Sequence, residues 1–152
     1  MKPTETILNE SDQIAEGQVI GCLLFEPERA PEVALQLQAE DFGDPFLKMC
    51  FESLQELSKT GSADVPTLAE KIHSQMRGSV DLAAIWPKLH ELQERTVATT
   101  ALDHYVDKVS ERARIRRQGY LFAEGIKAAQ RRDLQAVQKA VISLSKEQDG
   151  DR

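Results

Sequence analysis

The residues that could carry out chemistry in this chain are few, and their spacing does not favour it. Lys59-Thr60 lacks the Gly-x-x-x-x-Gly run that would turn a Lys-Thr pair into a phosphate-binding loop, and no Gly-x-Gly-x-x-Gly occurs. The three histidines, His73, His90 and His104, stand 17 and 14 residues apart, and none has a second His or Cys three or four positions on, as a zinc site would. Cys22 and Cys50 sit among apolar neighbours and read as small, reduced core residues. Glu40, Asp41 and Asp44 are close enough to form a carboxylate pair. Their neighbours, Gly43 and Pro45, instead point to a solvated turn followed by a helix cap. No nucleophile, base and orienting acid come together in any recognisable order. The expectation is therefore a protein that is not an enzyme, with no catalytic, cofactor-binding or metal-binding residue.

The densest charge feature is Lys108, Arg112, Arg114, Arg116 and Arg117. With Asp107 and Glu111 it gives residues 107–117 five positive and two negative charges. Such a run can face nucleic acid or an acidic partner, or it can be the solvated side of a long helix. The whole chain carries a formal net charge of -6, which repels a phosphate backbone, so only weak DNA binding is expected.

The 152 residues suffice for one domain with its own core, and 41% hydrophobic with 29% charged residues is ordinary for a globular protein. No apolar run approaches the length of a membrane span, and the polar start MKPTETILNESD has no secretory h-region. A cytoplasmic location is the simplest expectation.

Helical periodicity dominates, which predicts an all-α fold. Residues 1–10 read as a disordered tail. Ser11 or Asp12 is expected to cap a first helix carrying Ile14, Val19, Ile20, Leu23 and Leu24. Pro31 suits a short second helix with Val33, Leu35 and Leu37, and Asp44-Pro45 opens a third that ends before Gly61. A fourth begins at Pro66, and a fifth spans Leu82 to Leu92 with Pro87 inside it. From Thr99 or Thr100 to about Gln130 one long helix is expected. Its early stripe is Leu102, Tyr105, Val106, Val109 and Ala113, and its later one is Ile115, Gly119, Phe122, Ile126 and Ala129, on another face. Asp133 then caps a last helix in which Leu134, Val137, Val141 and Leu144 repeat like a coiled-coil seam. Two seams joined by a short loop predict an antiparallel helical hairpin. The expected layout is a compact orthogonal helical domain over 11–98, a long helix and hairpin over 99–147, and a tail or linker start at 148–152.

The motifs, taken in order, resemble a known family. They are a Glu-x-x-[apolar]-[apolar]-Gly opening (Glu16 to Gly21), an acidic-Asp-Phe turn (Glu40, Asp41, Phe42), Phe51 nine residues later, and a Tyr-Val-x-x-Val-x-Glu-Arg-Ala run (Tyr105 to Ala113) before the hairpin. Their order and spacing resemble the N-terminal domain of the DnaB-type replicative helicases. The resemblance implies a non-enzymatic scaffold that precedes an ATPase motor, pairs with neighbouring subunits through its hairpin, and docks primase or a helicase loader. From the apolar seams of the hairpin, self-association is expected on Ile115, Phe122, Ile126, Leu134, Val137, Val141, Ile142 and Leu144. Arg114 and Arg117 fall on neither apolar stripe and are expected to stand free for a partner. Two alternatives stay open at this point: a stand-alone regulator acting in trans on a host helicase, and a DNA-binding module using Arg112 to Arg117.

Overall fold

A computed structural model describes residues 10–148. It is all-α, and no strand occurs among the described residues. The helices are α1 (Glu10–Phe25), α2 (Ala30–Val33), α3 (Pro45–Ser58), α4 (Val65–Gln75), α5 (Leu82–Glu94), α6 (Leu102–Gln130) and α7 (Leu134–Gln148). Short 3-10 turns cover Pro27–Arg29, Ala39–Asp41 and Thr99–Ala101. Most of the expected tails, residues 1–9 and 149–152, lie outside the described residues, whereas Glu10 and Gln148 belong to helices.

Local chemistry explains most starts and stops. The Asp44 carboxylate accepts from the N–H groups of Phe46 (2.9 Å) and Leu47 (3.1 Å), with Pro45 behind it, as expected for an N-cap. Asp64 caps α4 through the Thr67 N–H, and Asp81 caps α5 through that of Ala83. Gly61 closes the turn after α3 with φ +73°. Helix α5 runs through Pro87 without ending there.

The core gathers Val19, Ile20, Leu23, Leu37, Leu54, Leu68, Ile72, Ile85 and Leu89, and the first half of α6 closes it with Leu102, Val106 and Val109. The early stripe of the long helix is therefore buried as expected. Two expectations fail nearby. Ile14 on α1 is exposed, and Leu35 is 87% exposed because α2 ends at Val33 and the chain turns so that Val33 and Leu37 take the buried places. Asp12 does not cap α1. The helix already begins at Glu10, and the Asp12 carboxylate is buried against Arg112 and Arg116 of α6.

Helix α1 runs antiparallel to α6: Asp12 meets Arg116, and Arg29 meets Asp103. The loop between α5 and α6 is strapped along α1. Gln18 uses both ends of its amide there, donating to the Arg95 carbonyl (2.6 Å) and accepting from the Val97 N–H (3.1 Å). The Cys22 thiol donates to the Ala98 carbonyl, and Arg29 donates to that of Thr99. Gly21 lets this loop close. A Cβ built there would lie 2.0 Å from Thr96 Oγ1 and 2.8 Å from the Leu92 carbonyl oxygen.

Candidate functional site

The second half of α6 and all of α7 pack on one another. Arg117 meets Glu147 and Gly125 meets Ala140, the second number falling as the first rises, so the two helices run antiparallel. The inner seam is not the one the apolar periodicity picks out. On α6 it follows Arg114, Arg117, Leu121, Gly125 and Ala128, and on α7 it follows Val137, Ala140, Leu144 and Glu147. Ala128 and Ala140 are buried, and a Cβ on Gly125 would lie 3.5 Å from that of Ala140. Small residues bring the backbones together, and charged residues close the lower end.

The large apolar residues therefore lie elsewhere. Ile115, Phe122 and Ile126 on α6 and Leu134, Val141 and Ile142 on α7 are all exposed, from 47% for Ile115 to 68% for Leu134. Val137 and Leu144 are half-buried on the inner side. The expectation that the Ile115–Ala129 and Leu134–Leu144 stripes form the hairpin's own seam is corrected: most of the α6 stripe is exposed, and so are Leu134 and Val141, half of the α7 stripe. The largest apolar residues do not mark the nearest contact. Here Gly and Ala make that contact, and the large residues are left about half or more exposed among the described residues.

Arg114 and Arg117 are also corrected as free cations. Arg117 Nη1 donates to Asp41 Oδ1 (2.7 Å) and its Nε to Glu147 Oε1 (3.0 Å), while Arg114 donates to the Glu147 carbonyl. The neighbouring Arg116 is buried. Its guanidinium donates to the Asp41 carbonyl (2.6 Å) and stands 3.7 Å from Asp12 and 3.9 Å from Glu16. Arg112 also reaches Asp12, at 3.4 Å. Much of the basic run thus neutralises acids of α1 and of the Asp41 turn, and is not a solvated stripe.

This hub gives the sequence motifs their physical reasons. Glu16, only 1% exposed, accepts from the N–H groups of Gly43 (3.0 Å) and Asp44 (3.1 Å) and so fixes the turn that starts α3. Its burial raises the carboxyl above its usual range, against those two hydrogen bonds and the Arg116 charge, which pull it down. Asp41, expected in a solvated turn, is buried: it accepts from the Gln38 N–H and is paired with Arg117. Phe42, next to it, is buried with its ring 4.8 Å from that of Phe51. Sequence reasoning missed Asp12 and Arg116 as buried partners. The signal was the i, i+4 pairs Asp12/Glu16 on α1 and Arg112/Arg116 on α6, opposite charges on facing helices.

The model of the DnaB-like helicase N-terminal domain matches residues 9–111, about two thirds of the chain. The chain belongs to that family. It is a helicase-associated, non-catalytic domain. The match takes in Asp12, Glu16, Gly21, Asp41, Phe42, Phe51 and the first part of α6, but ends before Arg112, so the outward apolar face lies beyond it. Among the described residues no group of His, Cys, Asp or Glu is arranged to hold a metal ion, and no helix is long and apolar enough to cross a membrane. His90 stacks on Trp86 and His104 meets Tyr105 edge-on. Cys22 and Cys50 are buried free thiols.

Proposed function

We propose that this domain is a non-enzymatic scaffold of a cytoplasmic replicative DNA helicase, joining subunits and offering a docking surface to primase or a helicase loader. In this reading residues 11–98 are the globular unit and 99–147 the assembling unit. One observation carries the proposal: the large apolar side chains Ile115, Phe122 and Ile126 on α6 and Leu134, Val141 and Ile142 on α7 stand exposed. An exposed apolar face of this kind marks a protein contact. Each of these half-exposed side chains stands to gain on the order of 1 kcal/mol when covered, enough in sum to offset part of the entropy of association. A second copy supplies the same face and satisfies both at once. Val137 and Leu144 support that face from beneath, and Arg114 and Arg117 hold its lower end in place.

The charge distribution does not favour the DNA-binding alternative. Arg112, Arg116 and Arg117 are paired with Asp12, Glu16, Asp41 and Glu147, so few cations of the 107–117 run remain to displace counterions. The test combines two measurements. The wild-type chain should self-associate, and a Phe122→Glu, Ile142→Glu variant should be monomeric with unchanged helicity. A primase or loader from the same replication system should be retained by the wild type and lost by the variant. A variant that still associates and still binds overturns the proposal.

A further inference from the structure

Helix α7 is held to the rest of the chain unevenly. Midway along it, Ala140 faces Gly125 of α6, while Leu134, Val141 and Ile142 bury little. At its C-terminal end the contact changes character. Glu147 is bound through its carboxylate to Arg117 and through its carbonyl to Arg114, and Arg117 continues to Asp41 in the turn before α3. Three elements distant in sequence are thus joined through one guanidinium.

The two arms of that guanidinium differ. The Asp41 arm is 2.7 Å long and ends on a carboxylate that is 1% exposed. The Glu147 arm is 3.0 Å long and ends on a carboxylate that is 14% exposed. A charge pair nearer to solvent is screened more and contributes less. Asp41 also accepts from the Gln38 N–H, so it stays anchored whatever Glu147 does. The outer arm is therefore the one that opens first. Beside it is an open surface pocket of about 450 Å3 whose lining includes Glu40, Arg116, Arg117, Tyr120, Leu121 and Glu147. This space is open to solvent, and among the described residues nothing fills it beside the end of α7.

We propose that Arg117 is an ionic clasp between the end of α7 and the globular part, built to open at Glu147 while remaining closed at Asp41. Clasped, the last turn of α7 is fixed relative to the Asp41–Phe42 turn. Unclasped, that turn shifts into the adjoining pocket and the outward face of α7 changes its angle to that of α6. A protein bound on α7 can thereby work the clasp, and the clasp reports to the turn that starts α3.

The experiment is amide hydrogen exchange on the whole chain, read residue by residue, for the native protein, Glu147→Ala and Arg117→Met. Alanine is the better helix former, so faster exchange in α7 of Glu147→Ala cannot come from helix propensity. The expected result for Glu147→Ala is exchange faster by roughly tenfold in the last two turns of α7, the loss of one charge-assisted hydrogen bond. Amides of Ile20, Leu23 and Leu54 should be unchanged. Spin labels at Glu52 and Ser145 should show a broadened distance distribution. Arg117→Met should loosen both α7 and the Asp41 turn. Exchange in α7 of Glu147→Ala within twofold of native, with an unaltered distance distribution, overturns the clasp. A uniform rise across core and α7 alike overturns it too, because Glu147 would then serve only global stability.

Discussion

Gly17 and Gly21 lie one turn apart on α1, and the structure predicts opposite signs for the same substitution. A Cβ at Gly17 would rest 3.5 Å from Leu92 Cδ2, an ordinary van der Waals contact. Gly17→Ala therefore gains helix propensity without strain and should stabilise by about 0.5–1 kcal/mol. A Cβ at Gly21 would lie 2.0 Å from Thr96 Oγ1 and 2.8 Å from the Leu92 carbonyl oxygen. Thr96 cannot simply turn aside, because its hydroxyl donates to that same carbonyl (2.7 Å). The loop cannot lift away either, since Gln18 holds Arg95 and Val97 on either side of it. Overpacking against a fixed backbone costs about 1–3 kcal/mol, and losing the Thr96 hydrogen bond adds about 1 kcal/mol. After the propensity gain, Gly21→Ala should destabilise by about 1–3 kcal/mol. Urea unfolding followed by circular dichroism reads both variants, with midpoints moving in opposite directions at constant slope. Thr96→Ala in the Gly21→Ala background should recover part of the loss and leave the clash with Leu92. If Gly21→Ala stabilised the protein as Gly17→Ala does, the close packing of the α5–α6 loop on α1 would be wrong.

Other outcomes follow from the charge hub and the thiols. Arg116→Met leaves Glu16 buried without its counter-charge and Asp12 with Arg112 alone, and should cost about 3–5 kcal/mol in thermal or urea unfolding. Glu16 has its folded pKa raised, so between the unfolded value of 4.5 and that higher value the folded state binds more protons than the unfolded one. Stability from this group is greatest below that window and declines as pH rises through it, then levels off. The stability difference between wild type and Glu16→Gln should therefore fall with rising pH above 4.5 in urea titrations, and a rise would contradict the burial argument. The Cys50 thiol is pushed up to about 12 by burial, and that of Cys22 is also raised. A thiol reagent at pH 8 should label neither until the protein is unfolded, and rapid labelling of the folded state would count against a buried core position.

The sequence made the α1–α5 layout legible because capping carboxylates, prolines and regular apolar spacing all agree there. Asp44-Pro45, Asp64 and Asp81 each stand where a helix begins. The early stripe of α6 was legible for the same reason. The inner seam of α6 and α7 was not, because Gly125, Ala128 and Ala140 carry little hydrophobic signal and Arg114, Arg117 and Glu147 read as surface. Periodicity found the strongest apolar stripes and separated two faces of α6, but it assigned the later one to the inner seam with α7. The hub was hidden differently. Asp12 looked like a cap and Arg116 like part of a solvated run, since a single sequence shows charge but not which charges face one another across helices. The motif from Glu16 to Gly21 was visible as a pattern, and only the structure supplies its reasons, the turn at Gly43 and the close approach of Thr96.

The central claim is that the outward face of α6 and α7 assembles subunits. Sedimentation equilibrium of the wild-type chain across a hundredfold range of concentration, beside Phe122→Glu, tests it most directly. The account predicts a reversible, concentration-dependent mass above the monomer's 17.0 kDa for the wild type, and a monomer at every concentration for a folded Phe122→Glu. A wild-type chain that stays monomeric throughout, or a variant that associates as the wild type does, would contradict it.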